Sequence, residues 1–353
     1  MYYHIFSQRD TTLYEIYPTR NTGRDSILEL TKIACGSLYE GNAYGVNYNS
    51  RILLQFDLSE ISASIVARNI PTSSKYYLNL RTATSVEVPY NYTLYAYPIS
   101  QSWDVGIGTY NATPPFTDDC SWTYRVNKGG VQTAWSASGG TYYNNIAASQ
   151  SFAFSEPDIR MDVTNIVNAW LNNTVPNNGF VIKRSDADEA SADILGSLKF
   201  FSTDTNTIYI PKLEVGWDDS TYTAGSEIND DNMVVYFKNL QSSYREASKV
   251  KLRIGVRPAY PTLTYSTSSN YLLNYVLPTS SYYSVKDTVT EETIIPFDTN
   301  FTKVSSDANG SFINLRLNTF LPERFYRIIL KTEQEGGDRT LIHDNGYYFK
   351  IVR

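Results

Sequence analysis

The chain has 353 residues, enough for two ordinary domains because single cores rarely grow past about 250 residues, and its 42% hydrophobic content is that of a folding protein. A formal net charge of −6, with no strongly basic segment in view, argues against a nucleic-acid groove, which needs clustered Lys and Arg. Thirty Tyr and 15 Phe stand against 3 Met, a bias toward half-buried pleated surfaces and therefore toward β structure with aromatic cross-strand pairs.

In chain order, the opening MYYHIFSQRDTTLYEIYPTR has no basic region followed by an apolar core, so it does not read as a secretory signal. No run approaches the ~18 apolar residues that suggest a membrane span. The sequons at Asn91, Asn111, Asn172, Asn300 and Asn309 then read as Asn- and Thr-rich loops of a protein made in a cytoplasm. Cys35 and Cys120 form no CxxC and no disulfide framework, which fits a reducing compartment and leaves open whether they meet.

Strand-length apolar or alternating runs follow: RILLQFDL (51–58), SKYYLNLRTAT (74–84), YTLYAYPI (92–99), GFVIKR (179–184), SLKFFST (197–203) and IPKLEVGW (210–217). Short strands at this spacing predict an antiparallel sandwich. One helix interrupts them. In DVTNIVNAWLNN, Val163, Ile166, Val167, Trp170 and Leu171 recur at helical spacing. Asp162 or Thr164 is placed to cap the start, with Met161 stapled onto Ile166 if Asp162 is the cap, and Asn172-Asn173 tolerates the left-handed stop. The expected role is a lid on one open end of the sandwich.

DDSTYTAGSEINDD (218–231) is acidic, polar and without periodicity, and reads as a linker. Beyond it about seven strand signals over 232–353 suit a second sandwich of immunoglobulin-like size, its last two strands forming a hairpin around EGGDRTLIHDNG. The predicted architecture is therefore all-β: a β-sandwich over 1–217 with an aromatic, Gly-rich insertion at about 100–150, a linker over 218–231, and an Ig-like sandwich over 232–353.

The first domain carries an ordered set of motifs: DTTLYEIYPTRNTG, RILLQFDLSEI, WDVGIGTY, SWTYRV, TAWSASGGTYY, then DVTNIVNAWLNN, NNGFVIKR, KFFSTDT and IPKLEVGW. From about residue 8 to 217 this resembles the DNRLRE family of β-sandwich modules, with their Phe-Asp-Leu-Ser strand end, Asp-Val-Thr segment leading to a Trp, Asn-Asn-Gly before a strand, and closing Pro-x-Leu-x-Val strand. Two departures stand out: the late segment is FFSTDTNTIYIP where the family tends to carry Ser with an acidic residue and often Arg, and the helix ends in Asn-Asn where Gly is common. The resemblance implies a carbohydrate-binding-like jelly roll of the kind found in surface and virion proteins. Fold likeness alone does not choose between those roles.

Catalytic constellations are not visible. The two histidines, His4 and His343, lie at opposite ends of the chain, which argues against a His-based triad or metal site, and no GxSxG, HExxH, P-loop or GxGxxG pattern appears. Asp118-Asp119, Asp218-Asp219, Asp230-Asp231 and SDADEASAD (185–193) read as solvated turns, the last with some capacity for a structural Ca²⁺. Trp103, Trp122, Trp135, Tyr142 and Tyr143 are the candidate glycan-stacking residues, the competing reading being a private core for the insertion. The expected function is a non-enzymatic structural protein of a tailed-phage virion (tail, baseplate, collar or head decoration), oligomeric in the particle and bound to other virion proteins. The alternatives are a host-surface carbohydrate-binding module and, further off, a hydrolase with unrecognised chemistry.

Overall fold

The computed structural model describes residues 1–34, 47–153, 157–228, 232–260, 274–333 and 339–353. Strands hold 47% of the chain and helices 8%, so the protein is all-β, as its aromatic and β-branched bias predicts. It divides into two compact units, one of Ile5–Val215 and one of Met1–His4 with Gly216–Arg353. The strand Tyr2–Phe6 straddles that boundary.

In the Ile5–Val215 unit the larger sheet runs in the order Ala148–Ala153, Asn91–Pro98, Phe180–Lys183, Asn47–Gln55, Ile27–Ala34, Gly196–Phe201, Thr82–Val86, with Arg9–Tyr14 also paired to Asn47–Gln55. Its central strands show why apolar triplets sit at 52–54 and 180–182. Ile52, Leu53 and Leu54 are all fully buried, and so are Phe180, Val181 and Ile182 across the ladder. Alternation sends Ile52, Leu54, Phe180 and Ile182 to one side and Leu53 with Val181 to the other. On that other side Leu53 and Val181 join a cluster with Leu13, Ile99, Trp103, Cys120, Trp122 and Trp135. Both faces of these strands are covered, which is the condition for a continuous apolar run.

Among the described residues three α-helices form where the sequence predicts one. Helix α1 (Ser59–Val66) follows the Phe-Asp-Leu-Ser turn, where Asp57 Oδ1 accepts from Ser59 N at 2.9 Å. It buries only Ile61, so it carries no apolar stripe for periodicity to detect. Helix α2 (Thr164–Leu171) is the expected one, burying Ile166, Val167 and Trp170. Asp162 Oδ1 accepts from Thr164 N at 2.9 Å, while Thr164 Oγ1 turns aside to accept from Tyr76 N at 3.0 Å. Asn173 ends the helix at φ 55°, the left-handed stop expected of Asn. Trp170 meets Phe180 edge-on at 4.5 Å. Helix α3 (Asp186–Ala190) is a single acidic turn whose Ser185 hydroxyl accepts from Asp188 N at 2.9 Å.

In the second unit a four-stranded sheet, Met233–Phe237, Lys249–Pro258, Gly310–Arg316, Ser305–Asp307, and a five-stranded one, Ser243–Arg245, Thr340–Val352, Phe325–Glu333, Ser281–Asp287, Thr293–Ile295, contribute to one core. Leu252, Ile254 and Ile313 from the first meet Val285, Ile328 and Phe349 from the second there, with Tyr2 among them. Most pairings are antiparallel, but Ser243–Arg245 runs parallel to Lys350–Val352, and Ser226–Glu227 parallel to Tyr275–Val276. The segment read as a linker is laced into this unit over 221–228: Ser306 N donates to Thr221 O (2.8 Å), Thr223 N to Ser306 O (3.2 Å), and Ile228 is buried in the core. Backbone hydrogen bonds hold most of it, with Ile228 the one described residue of the segment in the core cluster. Of the expected last hairpin, residues 334–338 lie outside the described residues. The TLIHDNG stretch is strand rather than turn, Leu341 facing Thr332 and His343 facing Leu330.

Candidate functional site

A buried asparagine takes part in fastening the aromatic insertion, beside backbone bonds such as Arg24 N to Gly108 O (2.9 Å) and Thr123 N to Pro18 O (2.9 Å). Asn21 Nδ2 donates to Val105 O and Cys120 O, both at 2.8 Å, and its Oδ1 accepts from Gly108 N (2.7 Å) and Gly23 N (3.2 Å). The side chain's amide is thus used in full. The backbone crowds so closely that a Cβ on Gly23 would lie 2.1 Å from Val105 O, and one on Gly108 2.4 Å from Asn21 O. Glycine at both positions is a steric requirement.

Around this clasp the tryptophans turn inward. Trp103, Trp122 and Trp135 are 1%, 8% and 5% exposed. Trp103 Nε1 donates to Asn178 O and Trp135 Nε1 to Ser121 O, each at 2.9 Å. Arg9 lies over Trp103 at 4.8 Å and Arg51 over Trp122 at 5.0 Å. None of the three offers a ring face to a sugar, which corrects their candidacy as stacking residues: the insertion needs them as its own core. Tyr142 and Tyr143 are half-buried at its rim. Cys120 is buried among the tryptophans, and burial pushes its thiol well up; Cys35 lies outside the described residues.

The acidic run 185–193 is neutralised from within. Arg51 meets Glu189 through two contacts, Nε to Oε1 at 3.0 Å and Nη2 to Oε2 at 2.7 Å. Lys183, its side chain fully buried, reaches Glu189 Oε2 at 3.0 Å and bonds to Asp186. Lys32, also buried, donates to the carbonyls of Asp188, Glu189 (2.9 Å) and Ser191 (2.7 Å) at the end of α3. The charge that the sequence offers to a cation is thus answered by three of the chain's own. Burial pulls the Lys183 ammonium down, and its carboxylates more than reverse that, leaving it raised. Among the described residues no group of three His, Cys, Asp or Glu is placed to hold a metal. Asp230 and Asp231 lie outside the described residues. Asp218 accepts from Ser220 N (2.9 Å) in a turn, and Asp119 sits in one at φ 63°.

Beside this network runs a row of half-buried tyrosines. Tyr95 and Tyr97 leave the Asn91–Pro98 strand on the face opposite Leu94 and Ala96, their rings 6.1 Å apart and 16° from parallel. Tyr142 continues the row, 4.7 Å from Tyr97. Its hydroxyl joins Lys183 Nζ and Asp186 Oδ1, each at 3.2 Å. Ser149 pairs across from Tyr95, and Ser151 shares a hydrogen bond with Thr93 (2.9 Å). Flat rings edged by hydroxyls and an ion pair make a surface able to stack a sugar ring and bond its hydroxyls. In YTLYAYPI, Tyr95 and Tyr97 alternate with Leu94 and Ala96 and share the face of Val181, with Tyr97 and Tyr142 packed at the edge of the tryptophan cluster.

A titrating group lies elsewhere in the unit. Asp10 is buried, and burial pushes its carboxyl up to about 6 against the pull of Thr203, whose N and Oγ1 donate to Oδ2 at 2.7 and 2.8 Å; nearby Asp204 adds to the rise. The folded state therefore holds this proton more tightly than an unfolded Asp, whose pKa is near 4. Its contribution to stability is complete below that value and is lost as pH rises through about 6. Relative to Asp10→Asn, the parent should gain on the order of 3 kcal/mol between pH 8 and pH 4. Urea titrations of both at several pH values test this, and a constant difference across the window would refute it.

No family model and no curated protein matches the chain. Among solved structures it is similar to a β-glucuronidase of Parabacteroides merdae, at 11% identity and a TM-score of 0.16 over 79% of this chain and 28% of that one. It is also similar to a DUF4785 family protein of Legionella pneumophila, at 8% identity and a TM-score of 0.19 over 99% of this chain and 62% of that one. The chain spans less than two thirds of the length of either, and likeness at this level carries no argument about activity.

Proposed function

We propose that the chain is a non-enzymatic structural protein of a tailed-phage virion, oligomeric in the particle and acting through protein–protein contacts. In this reading the first unit is a DNRLRE-like β-sandwich and the second an Ig-like one. The observation that carries it is the fate of the tryptophans: three of the five are spent on the insertion's own core, so the aromatic richness stiffens a bracket. The edge strand Thr82–Val86 adds support, with Ser85 and Val86 exposed on an end of the larger sheet where a second chain can pair. Imaging particles purified from a source lysate tests the proposal; a particle density without this chain defeats it. Within such particles Val86→Lys, a charge on an exposed edge, is expected to lower incorporation several-fold while leaving the unfolding midpoint of the free chain in place.

A second reading, attachment to a host-surface glycan, is favoured by the Tyr95–Tyr97–Tyr142 row. Retention of the parent on immobilised glycans, with loss on Tyr95→Ala and Tyr97→Ala, would support it over a purely structural role.

A further inference from the structure

The second unit carries a strongly basic sheet face. Leu252, Ile254 and Val256 of the Lys249–Pro258 strand enter the core, so Lys249, Lys251, Arg253 and Arg257 stand together on the opposite face. Register places Arg316 across from Lys249 and Phe312 across from Arg253. Lys238 reaches the same face, its Nζ 4.0 Å from where a Cβ on Gly310 would sit. Two carboxylates oppose these cations. Asp307 accepts from Lys251 (3.0 Å) and Arg253 (2.5 Å), which hold it well below the usual carboxylate range, and Asp219 lies at the margin, bonded to Asn314 (3.3 Å). One aromatic ring lies open among the charges: Tyr236 lies over Gly255, where a Cβ would come within 2.4 Å of its Cζ, and is 36% exposed. Phe312 is covered instead, with Lys251 Nζ 3.6 Å above its ring and Arg253 at 5.2 Å.

We propose that this face binds a linear anionic polysaccharide, its charged groups along the row of cations and one sugar ring on Tyr236. The chemistry of the face selects that partner. A protein interface needs an apolar, charge-depleted centre, and here the centre is cationic. Single-stranded nucleic acid needs successive rings for its bases, and among the described strand residues of this face Tyr236 is the ring left uncovered. A hydrated polyanion needs neither, and cations two residues apart along a strand recur about every 7 Å. The proposal does not depend on the virion reading, since it concerns a different unit from the tyrosine row and the exposed edge.

The test uses the full chain and heparin as the probe, with affinity measured across a salt series. The expected result is saturable binding whose logarithm falls linearly with the logarithm of salt concentration. Lys249→Gln with Arg257→Gln, both exposed positions, should reduce that slope by about two. Asp307→Asn should tighten binding several-fold by releasing Lys251 and Arg253, and Tyr236→Ala should weaken it with the slope unchanged. Circular dichroism and unfolding midpoints confirm that each variant is folded. The proposal is overturned if binding shows no salt dependence, or if Lys286→Gln with Arg327→Gln on the other sheet causes the same loss. Tighter binding of polyglutamate or oligothymidylate than of heparin overturns the choice of partner.

Discussion

Replacing Asn21 by alanine should destabilise the Ile5–Val215 unit by roughly 3 kcal/mol, because the change strands four backbone groups at once, three of them buried. Val105 O and Cys120 O lose their donor, and Gly23 N and Gly108 N lose their acceptor. Asn21→Asp keeps the acceptor and removes both donors, setting a carboxylate against two carbonyls, so it should be at least as damaging as alanine. Scanning calorimetry should place both variants roughly 10 °C below the parent. Limited proteolysis should then cut within 104–119 before anywhere else in this unit. A loss under about 1 kcal/mol would mean that the tryptophan core holds the insertion without the clasp.

The second large effect is expected at Glu189. Its carboxylate serves Arg51 and Lys183, whose side chains are 13% and 0% exposed. Glu189→Ala leaves the guanidinium without a carboxylate bonded to it, with Gly139 O and the Trp122 and Tyr142 rings, and leaves Lys183 to Asp186 and the Tyr142 hydroxyl. Breaking one side of a buried ion pair typically costs about 3–5 kcal/mol. The comparison that decides the matter is Asp186→Ala. That carboxylate is 80% exposed, and on its loss Lys183 keeps Glu189 and the Tyr142 hydroxyl, so the cost should be much smaller. Denaturant titrations of the two variants should therefore separate by several-fold in lost stability. Equal losses would show that the acidic turn is held by its solvated face, and that the three cations beneath it are incidental.

Much of the local structure was written in the sequence. The strand runs, the stop at Asn173 and the stripe that makes α2 rest on propensity and periodicity, which act between near neighbours. What could not be read were relations between distant segments. The acidic run 185–193 reads as a solvated turn with some capacity for a structural cation because the cations that meet it, Lys32 and Arg51, lie more than 130 positions away in sequence. The sequence also showed no basic segment, because Val250, Leu252, Ile254 and Val256 separate the cations of one strand while folding turns all four apolar residues away from them.

By itself, then, the sequence determined the class of structure, the placing of most strands and the one amphipathic helix. Only the tertiary structure decided which side chains remain available for function. It closed Trp103, Trp122 and Trp135 into a core and left Tyr95, Tyr97 and Tyr142 half-open, although all six are aromatic residues in strand-and-turn context. The physical reason is that burial is a property of what packs against a face. A strand's alternation fixes which residues share a face, while a distant segment, here the one fastened by Asn21, determines which face is covered.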